Sequence, residues 1–280
     1  MDTTTSSYGK GALDSNYDIR DFWYSPTDRG EGTFDFDIEK LVGKNLVVKD
    51  QNGSSSCGGQ AWAYYGEVLE AIATENYEPR SARWIYSHTA APGGGSRGKD
   101  NSDFVIKNGF VKEADAPSYK NKKAPGEDFM LTVPVLSQEA LEDKEVSRAL
   151  SYLKVPGDFY TVASAIREHN GCIISVAGED NGTWRSAFPK PPTKQVWGHW
   201  LYAGKLKVID GKQYIGVINS WGKKTGENGW QWISEEYFDN GFIREGWTLA
   251  WDYKPAKHKK LLIETVKVLQ ALVALLTKQK

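Results

Sequence analysis

The residue types around Cys57 are those of a nucleophile site. A polar loop from Asp50 to Ser56 precedes this cysteine, and apolar residues recur at helical spacing after it, which predicts a helix that begins at Cys57. A thiol in the first turn of a helix is favoured as the thiolate, and the free N–H groups there stabilise a negative oxygen beside the sulfur. Gln51 is spaced to aim a side-chain N–H at that oxygen from across the loop. The alternative interpretation is a buried cysteine that packs as a small apolar side chain.

A thiolate nucleophile needs a base, and the base needs an orienting group. The chain has four histidines, and His199 is the candidate because it follows Gly198 at the start of a strand-rich region. An apolar strand further along ends in Asn219 and Trp221. Two neighbouring antiparallel strands would bring His199 and Asn219 together, with Trp221 shielding their hydrogen bond from water. Each of these residues taken alone is more often structural, so the prediction depends on the set.

The elements that position these residues follow from hydrophobic periodicity and turn signals. Helices are predicted over 57–76, 80–88, 102–108 and 158–169, and strands over 172–177, 200–208, 213–220 and 229–234. Asp210 and Gly211 join the middle two strands as a hairpin turn. The segment 120–145 is charged and contains proline, which favours a linking excursion on the surface. A helix-rich half followed by a strand-rich half predicts an α+β fold of two lobes, with the ligand site in the cleft between them.

Composition excludes several classes of protein. The 280 residues suffice for a full core, and a net charge of −1 gives no basic footprint for nucleic acid. Two cysteines rule out a disulfide framework, and no spacing of His, Cys and Asp indicates a metal, so no cofactor is expected. No apolar run is long enough to span a bilayer, and the N-terminus lacks the apolar core of a secretory signal. A cytoplasmic location is therefore the default expectation, with export by another route as the alternative.

Both ends of the chain differ from the middle. Residues 1–16 are polar and contain Gly and Ser, which predicts a flexible arm. Residues 254–280 predict an amphipathic helix, in which apolar residues over 261–277 alternate at spacings of four and three. These two to three heptads leave three interpretations open. The helix docks on its own domain, self-associates through the apolar seam, or lies on a membrane surface with its lysines at the border.

Several motifs together resemble the papain-like cysteine peptidases. Gln51 lies six residues before Cys57, Gly198 and His199 begin a strand, and Asn219-Ser220-Trp221-Gly222 is followed by Gly226-Glu227-Asn228-Gly229. The separation of the cysteine and the histidine falls in the range typical of that family. The resemblance covers residues 17–253 and implies a helical lobe over about 17–150 and an antiparallel, β-barrel-like lobe over about 151–253. The active site would lie in the cleft between them.

The resemblance also implies an endopeptidase that works through a thioester on Cys57. His199 would be its ion-pair partner, with a lowered thiol pKa and a raised imidazole pKa, Asn219 would orient the imidazole, and Gln51 would complete the oxyanion hole. The implied partner is a peptide or protein substrate, bound by residues of the glycine run and of the opposite wall: Gly94, Gly95, Gly198 and Trp221. Two alternatives use the same site: an acyl-transfer, ligase or cell-wall peptide-processing enzyme, and a module that binds peptide without cleaving it.

Three features depart from the family pattern. Gly58 stands where the family usually has a tryptophan directly after the nucleophile, and Ser54 stands where a disulfide-bonded cysteine is common. No long inhibitory propeptide precedes Tyr17, so either a propeptide has been removed or activity is restrained in another way. These departures bear on subsite preference and regulation rather than on the chemistry.

Overall fold

The computed structural model of this chain describes residues 10–19, 21–27, 32–146 and 151–250. The terminal helix predicted over 254–280, with its possible self-association, lies outside these residues. The helices of the described part are α1 (Ile38–Val42), α2 (Cys57–Thr74), α3 (Ala82–Thr89), α4 (Gly98–Asn108), α5 (Glu127–Leu131), α6 (Gln138–Val146), α7 (Phe159–His169) and α8 (Glu235–Asp239). The strands are β1 (Ala12–Leu13), β2 (Asp35–Asp37), β3 (Ser96–Arg97), β4 (Ser151–Val155), β5 (Cys172–Gly178), β6 (Trp197–Ile209), β7 (Lys212–Ile218), β8 (Trp230–Ser234) and β9 (Ile243–Ala250).

The central helix α2 begins at Cys57, as predicted, and is buried along most of its length. It packs against α3 on one side and against β6 of the sheet on the other. Gly59 allows the close crossing of α3, because a Cβ there would lie 2.5 Å from the carbonyl oxygen of Ala82. The helix ends where Glu75 takes a left-handed conformation, with φ of 57°. A helix buried on nearly all sides positions its first residue firmly.

The other predicted helices are present with shifted ends. Helix α4 starts at Gly98, four residues before the predicted start, and stops before Gly109, whose φ is 71°. Helix α7 is capped by Asp158, whose side chain accepts a hydrogen bond from the N–H of Thr161. Helices α5 and α6 were not predicted; they lie in the charged segment expected to be only a surface excursion.

The strands form one open antiparallel sheet, in the order β4-β9-β5-β6-β7-β8, with β2 also pairing with β6. The barrel-like lobe expected from the resemblance is therefore wrong in one respect, because the edge strands β4 and β8 do not pair and the sheet does not close. The predicted hairpin between β6 and β7 is confirmed, with Asp210 and Gly211 both at positive φ, 49° and 74°.

Two groups of buried side chains fill the interior. The first surrounds α2 and contains Trp62, whose ring meets that of Trp200 from β6 edge to face at 5.3 Å. The second lies between α7, α8 and the other face of the sheet. In the described ranges, no helix has both the length and the apolar character needed to cross a membrane.

Candidate active site

Cys57 is fully buried at the N-terminus of α2. Four backbone groups interact with its sulfur: those of Trp200, Gly58, Gly11 and Cys57 itself. Trp200 directly follows His199 in β6, so the strand that contacts the candidate nucleophile also carries the candidate base. The helix supplies the amide groups of its own first turn, as the sequence predicted.

A chain of side-chain amides fixes the orientation of His199. Gln231 donates both of its N–H groups to backbone carbonyls, those of Trp184 and Ser186, at 2.9 Å each. Its side-chain oxygen therefore faces Asn219 and accepts the Asn219 N–H at 2.7 Å. That leaves the Asn219 oxygen to accept the Nε2–H of His199 at 3.0 Å.

The imidazole consequently carries its proton on Nε2. The Nδ1 atom of His199 is buried and has no hydrogen-bond partner within the described residues. The ring of Trp221 covers one face of the imidazole at 4.5 Å between ring centres. An unprotonated imidazole nitrogen is suited to accept the proton of a thiol that approaches it. The expected pairing of His199 and Asn219 is thus present, and Gln231 is a part of it that the sequence did not indicate.

Gln51 lies between its own loop and the loop that follows Asn219. Its side-chain N–H donates to the carbonyl of Ser54 at 2.7 Å, and its side-chain oxygen accepts the hydroxyl of Ser220 at 2.5 Å. Its backbone N–H donates to the Ser220 carbonyl at 2.8 Å. The Ser54 hydroxyl bonds the Gln51 carbonyl at 2.7 Å and the Ser56 hydroxyl at 2.8 Å. These bonds stabilise the loop at the place where a disulfide is common in the family.

The structure also explains why position 58, directly after Cys57, is a glycine. A Cβ on Gly58 would lie 2.1 Å from the hydroxyl of Ser96 and 2.6 Å from the amide nitrogen of Asn101. Asn101 bonds the hydroxyls of both Ser96 and Thr89, at 2.9 and 2.6 Å. A buried polar network thus occupies the space next to position 58, and a tryptophan does not fit there.

The cleft contains part of the N-terminal arm. Gly11 lies between its two walls: its carbonyl accepts the N–H of Ser96 at 2.9 Å, and its N–H donates to the carbonyl of Gly198 at 3.2 Å. Strand β1 of the arm runs parallel to β3, with Ala12 opposite Ser96. The arm expected to be flexible is therefore paired in the cleft over its described residues.

Side chains anchor this segment at both ends. Lys10 forms an ion pair with Asp180 and lies 5.1 Å from the ring centre of Trp197. Asp14 pairs with Arg244. The Ser15 N–H and hydroxyl both donate to Glu245, at 3.1 Å each.

The three predicted substrate-contacting glycines lie on the walls on either side of the arm. A Cβ on Gly95 would lie 2.5 Å from the Gly11 carbonyl, and one on Gly94 would lie 3.2 Å from the side chains of Ser55 and Glu127. Gly198 lies on the opposite wall, where its carbonyl accepts the Gly11 N–H. Trp221, in contrast, lies against the imidazole ring of His199. The cleft thus brings together the glycines of the two walls at one peptide segment.

The charge states of the pair are opposite to those expected from the sequence. Burial raises the pKa of the Cys57 thiol to about 12, against smaller lowering effects of the surrounding backbone groups. Burial lowers the pKa of His199 to about 4, opposed by the Asn219 hydrogen bond and reinforced by the positive charge of Lys10. With the arm in the cleft, the pair is therefore a neutral thiol and a neutral imidazole. The helix N-terminus does favour the thiolate, but exclusion of water outweighs it.

The side chains of the site do not resemble a metal centre. In the described part of the chain, no three His, Cys, Asp or Glu residues are grouped as metal ligands.

No protein-family model and no curated protein matches this sequence. The fold, in contrast, matches those of solved structures. Xylellain, a cysteine protease from Xylella fastidiosa, superposes with a TM-score of 0.72 at 20% identity, covering 88% of this chain and 97% of that one. Procathepsin B S9 from Trypanosoma congolense gives 0.67 at 11% identity, with 86% and 85% covered. The bromelain protease from Ananas comosus, in complex with the E64 inhibitor, gives 0.60 at 21%, with 79% and 100% covered. This chain therefore has the two-lobed α+β fold of the papain-like cysteine proteases.

Proposed function

We propose that this chain is a cysteine endopeptidase that hydrolyses peptide bonds through a thioester on Cys57. One observation carries the proposal: the thiol lies against the backbone of Trp200, next to a His199 whose other ring nitrogen is held by Asn219. The nucleophile, its base and the orienting amide are then those inferred from the sequence. The fold shared with cysteine proteases agrees with this function.

The chemistry follows from these positions. Nδ1 of His199 takes the thiol proton as the Cys57 sulfur attacks the peptide carbonyl, and the carbonyl π electrons move to the oxygen. The backbone N–H of Cys57 and the amide of Gln51 stabilise that oxyanion. When the tetrahedral intermediate collapses, the C–N bond breaks and the imidazolium protonates the leaving amine. Water then attacks the thioester, with His199 as base, and returns the thiol.

The substrate groove is the space that the arm occupies. We expect Gly94, Gly95 and Gly198 to lie against a bound peptide, because Gly11 lies between the walls that they form. Trp221 would support the reaction by covering the imidazole. A substrate reaches Cys57 only after the arm leaves the groove.

Two alternatives use the same groove. The seated arm itself is a peptide that this groove binds, which favours a peptide-binding module as the second candidate. An acyl-transfer or cell-wall peptide-processing enzyme would share the thioester and differ in the acceptor. Adding an amine nucleophile to the assay separates the three candidates. Transfer gives an amide product, hydrolysis gives the free acid, and a binding module gives neither.

The direct test is covalent labelling of the full chain with an epoxide inhibitor such as E64, followed by mapping of the adduct by mass spectrometry. We expect the adduct on Cys57 and none on Cys172, which is buried in β5 and serves as an internal control. Cys57→Ala should abolish peptide hydrolysis and leave the melting temperature within a few degrees. Hydrolysis at the wild-type rate by the variant would exclude the proposal.

A further inference from the structure

An open pocket of about 600 Å³ adjoins the cleft on the side of the glycine run. Its walls are mostly apolar and are formed by Ala90, Ala91, Pro92, Gly94 and Leu131. Ser55, two residues before the nucleophile, lines it as well. The pocket has one charged lining residue in the described part of the chain, Glu127 at the start of α5.

Glu127 is held by the loop before Cys57 and is connected through Tyr86 of α3 to the glycine loop. One carboxylate oxygen accepts the N–H of Ser55 at 2.6 Å, and the other accepts the hydroxyl of Tyr86 at 2.5 Å. The Tyr86 oxygen in turn accepts the N–H of Gly95 at 2.9 Å. The carboxylate is therefore fixed beside the groove. Because a carboxylate offers about four acceptor positions, two remain for a ligand.

The charge of Glu127 has no cation opposite it. Within the described ranges no lysine, arginine or histidine forms an ion pair with this carboxylate, whereas other partly buried acids, such as Glu39 with Lys205, have one. The side chain is half-buried, so part of it remains accessible. A fixed, unpaired carboxylate beneath apolar walls matches a side chain with an apolar stem and a cationic end, which describes lysine and arginine.

The arm shows which substrate residue reaches this pocket. Gly11 is hydrogen-bonded to both walls of the groove and lies against Ser55, two residues before Cys57, so we take it to mark the position of the residue with the scissile carbonyl. At that point its neighbours are Ser55 and Gly95, and a Cβ on Gly11 would lie 2.2 Å from the Ser55 carbonyl. Ser55 itself, and Gly94 next to Gly95, also line the pocket. Because Gly11 has no side chain, the pocket stays open while the arm is seated.

We propose that this pocket receives the side chain of the substrate residue that carries the scissile carbonyl, and that Glu127 selects lysine or arginine there. The inference rests on the proposed function, since it names the substrate class of the same site. Glu127 is thus a specificity-determining residue, which contacts the substrate but takes no part in the proton transfers.

The test uses full-length protein and peptidyl chloromethyl ketones with Arg, Lys, Gln or Met next to the ketone. The Cys57 sulfur displaces chloride, so an S–C bond forms as the C–Cl bond breaks, and the thiol proton passes to His199 and then to water. We expect the basic compounds to label Cys57 about 10- to 100-fold faster than the neutral ones, as a charge-assisted hydrogen bond predicts. Glu127→Gln keeps the shape and should remove that preference. Asp128→Asn, the same change at the exposed neighbouring residue, should preserve it.

Each outcome has a separate meaning. Equal labelling rates for basic and neutral compounds in the wild type would overturn the inference. So would a Glu127→Gln variant that slows all four compounds by one factor, because Glu127 would then only support the two loops. Matched peptide substrates test the proposed function separately: basic preference in labelling with no hydrolysis of any peptide would refute the peptidase and leave the pocket assignment standing.

Discussion

The neutral state of the Cys57 and His199 pair makes the stability of the protein depend on pH. An exposed imidazole has a pKa near 6.5, and burial lowers that of His199 to about 4. The folded state then binds fewer protons than the unfolded state in this range. The contribution of His199 to the free energy of unfolding is therefore complete above pH 6.5. It decreases by up to about 3 kcal/mol as the pH falls towards 4. We expect denaturant titrations of the wild type to show this loss.

The variant His199→Gln isolates the effect from that of other acidic groups. It cannot titrate, so its free energy of unfolding should fall less between pH 6.5 and 4 than that of the wild type. The thiol acts at the other end of the range: burial raises the pKa of Cys57 from 9.0 to about 12, so its contribution is lost as the pH rises between those values. Parallel acid curves for the wild type and His199→Gln would contradict the assignment of the buried imidazole.

At the scale of single residues, the sequence predicted the helix start at Cys57 and the hydrogen bond between His199 and Asn219, but not the directions of the pKa shifts. The helix start marks Cys57, and the strand that precedes Asn219 predicts its approach to His199. Gln231 escaped notice because a glutamine inside a strand carries no motif, and its role depends on carbonyl groups from a distant loop. The pKa directions were wrong because the helix N-terminus is visible in the sequence, whereas burial of the pair by distant segments is not.

Among the elements, we expect the N-terminal arm that contains Gly11 and β1 to limit access to the thiol, because it lies between the two walls of the cleft. A Cβ on Gly11 would lie 2.2 Å from the Ser55 carbonyl oxygen and 2.9 Å from Gly95 Cα, both backbone atoms. Gly11→Ala therefore cannot seat as the wild type does, and overpacking of this size weakens the docked arm. We expect the variant to be labelled by E64 at Cys57 about 10-fold faster than the wild type, with hydrolysis of peptides rising in parallel.

Asn16→Ala is the matched control, since Asn16 belongs to the same arm but is exposed. It should be labelled at the wild-type rate. If Gly11→Ala were no faster than this control, the arm would not limit access to the groove. A melting temperature close to that of the wild type would show that the body of the protein is intact in both variants.

The elements that the sequence failed to predict share a physical cause. The arm is polar and lacks hydrophobic periodicity. Its described residues are ordered by backbone pairing with Ser96 and Gly198, which leaves no pattern in the sequence. Helix α6 has no apolar face that would mark it as a helix, and α5 is only five residues long. The long, apolar helix α2 and the strands around the Asp210–Gly211 turn were predictable because local sequence determines them.

For the molecule as a whole, the site depends on how the two lobes meet. The sequence predicted the change from helices to strands and the pairing of β6 with β7, but not the rest of the sheet order, which arises from pairings between distant segments. Cys57 belongs to α2 and His199 to β6, so contacts between this helix and the sheet set the separation of the two side chains. Buried side chains and hydrogen bonds from α2 to the sheet make these contacts.

The hydroxyl of Tyr65 connects α2 to several of these segments. It lies 2.9 and 2.8 Å from the carbonyls of His169 and Gly171, and 2.6 Å from the hydroxyl of Thr248 in β9. Tyr65→Phe removes the hydroxyl and leaves these buried groups with fewer partners. We expect the free energy of unfolding to fall by about 2 kcal/mol, measured by denaturant titration.

Tyr160→Phe provides the control, because Tyr160 is 40% exposed and its hydroxyl is accessible to water. It should change the free energy of unfolding by less than about 0.5 kcal/mol. Tyr65 does not touch the thiol, so the E64 labelling rate of the folded Tyr65→Phe variant also reports on the junction. If the hydroxyl helps to hold α2 against the sheet, both stability and labelling rate should change. A loss of stability with unaltered labelling would mean that apolar packing alone maintains the separation of Cys57 and His199. Equal stability of the two variants would show that the Tyr65 hydroxyl does not stabilise the contact between the lobes.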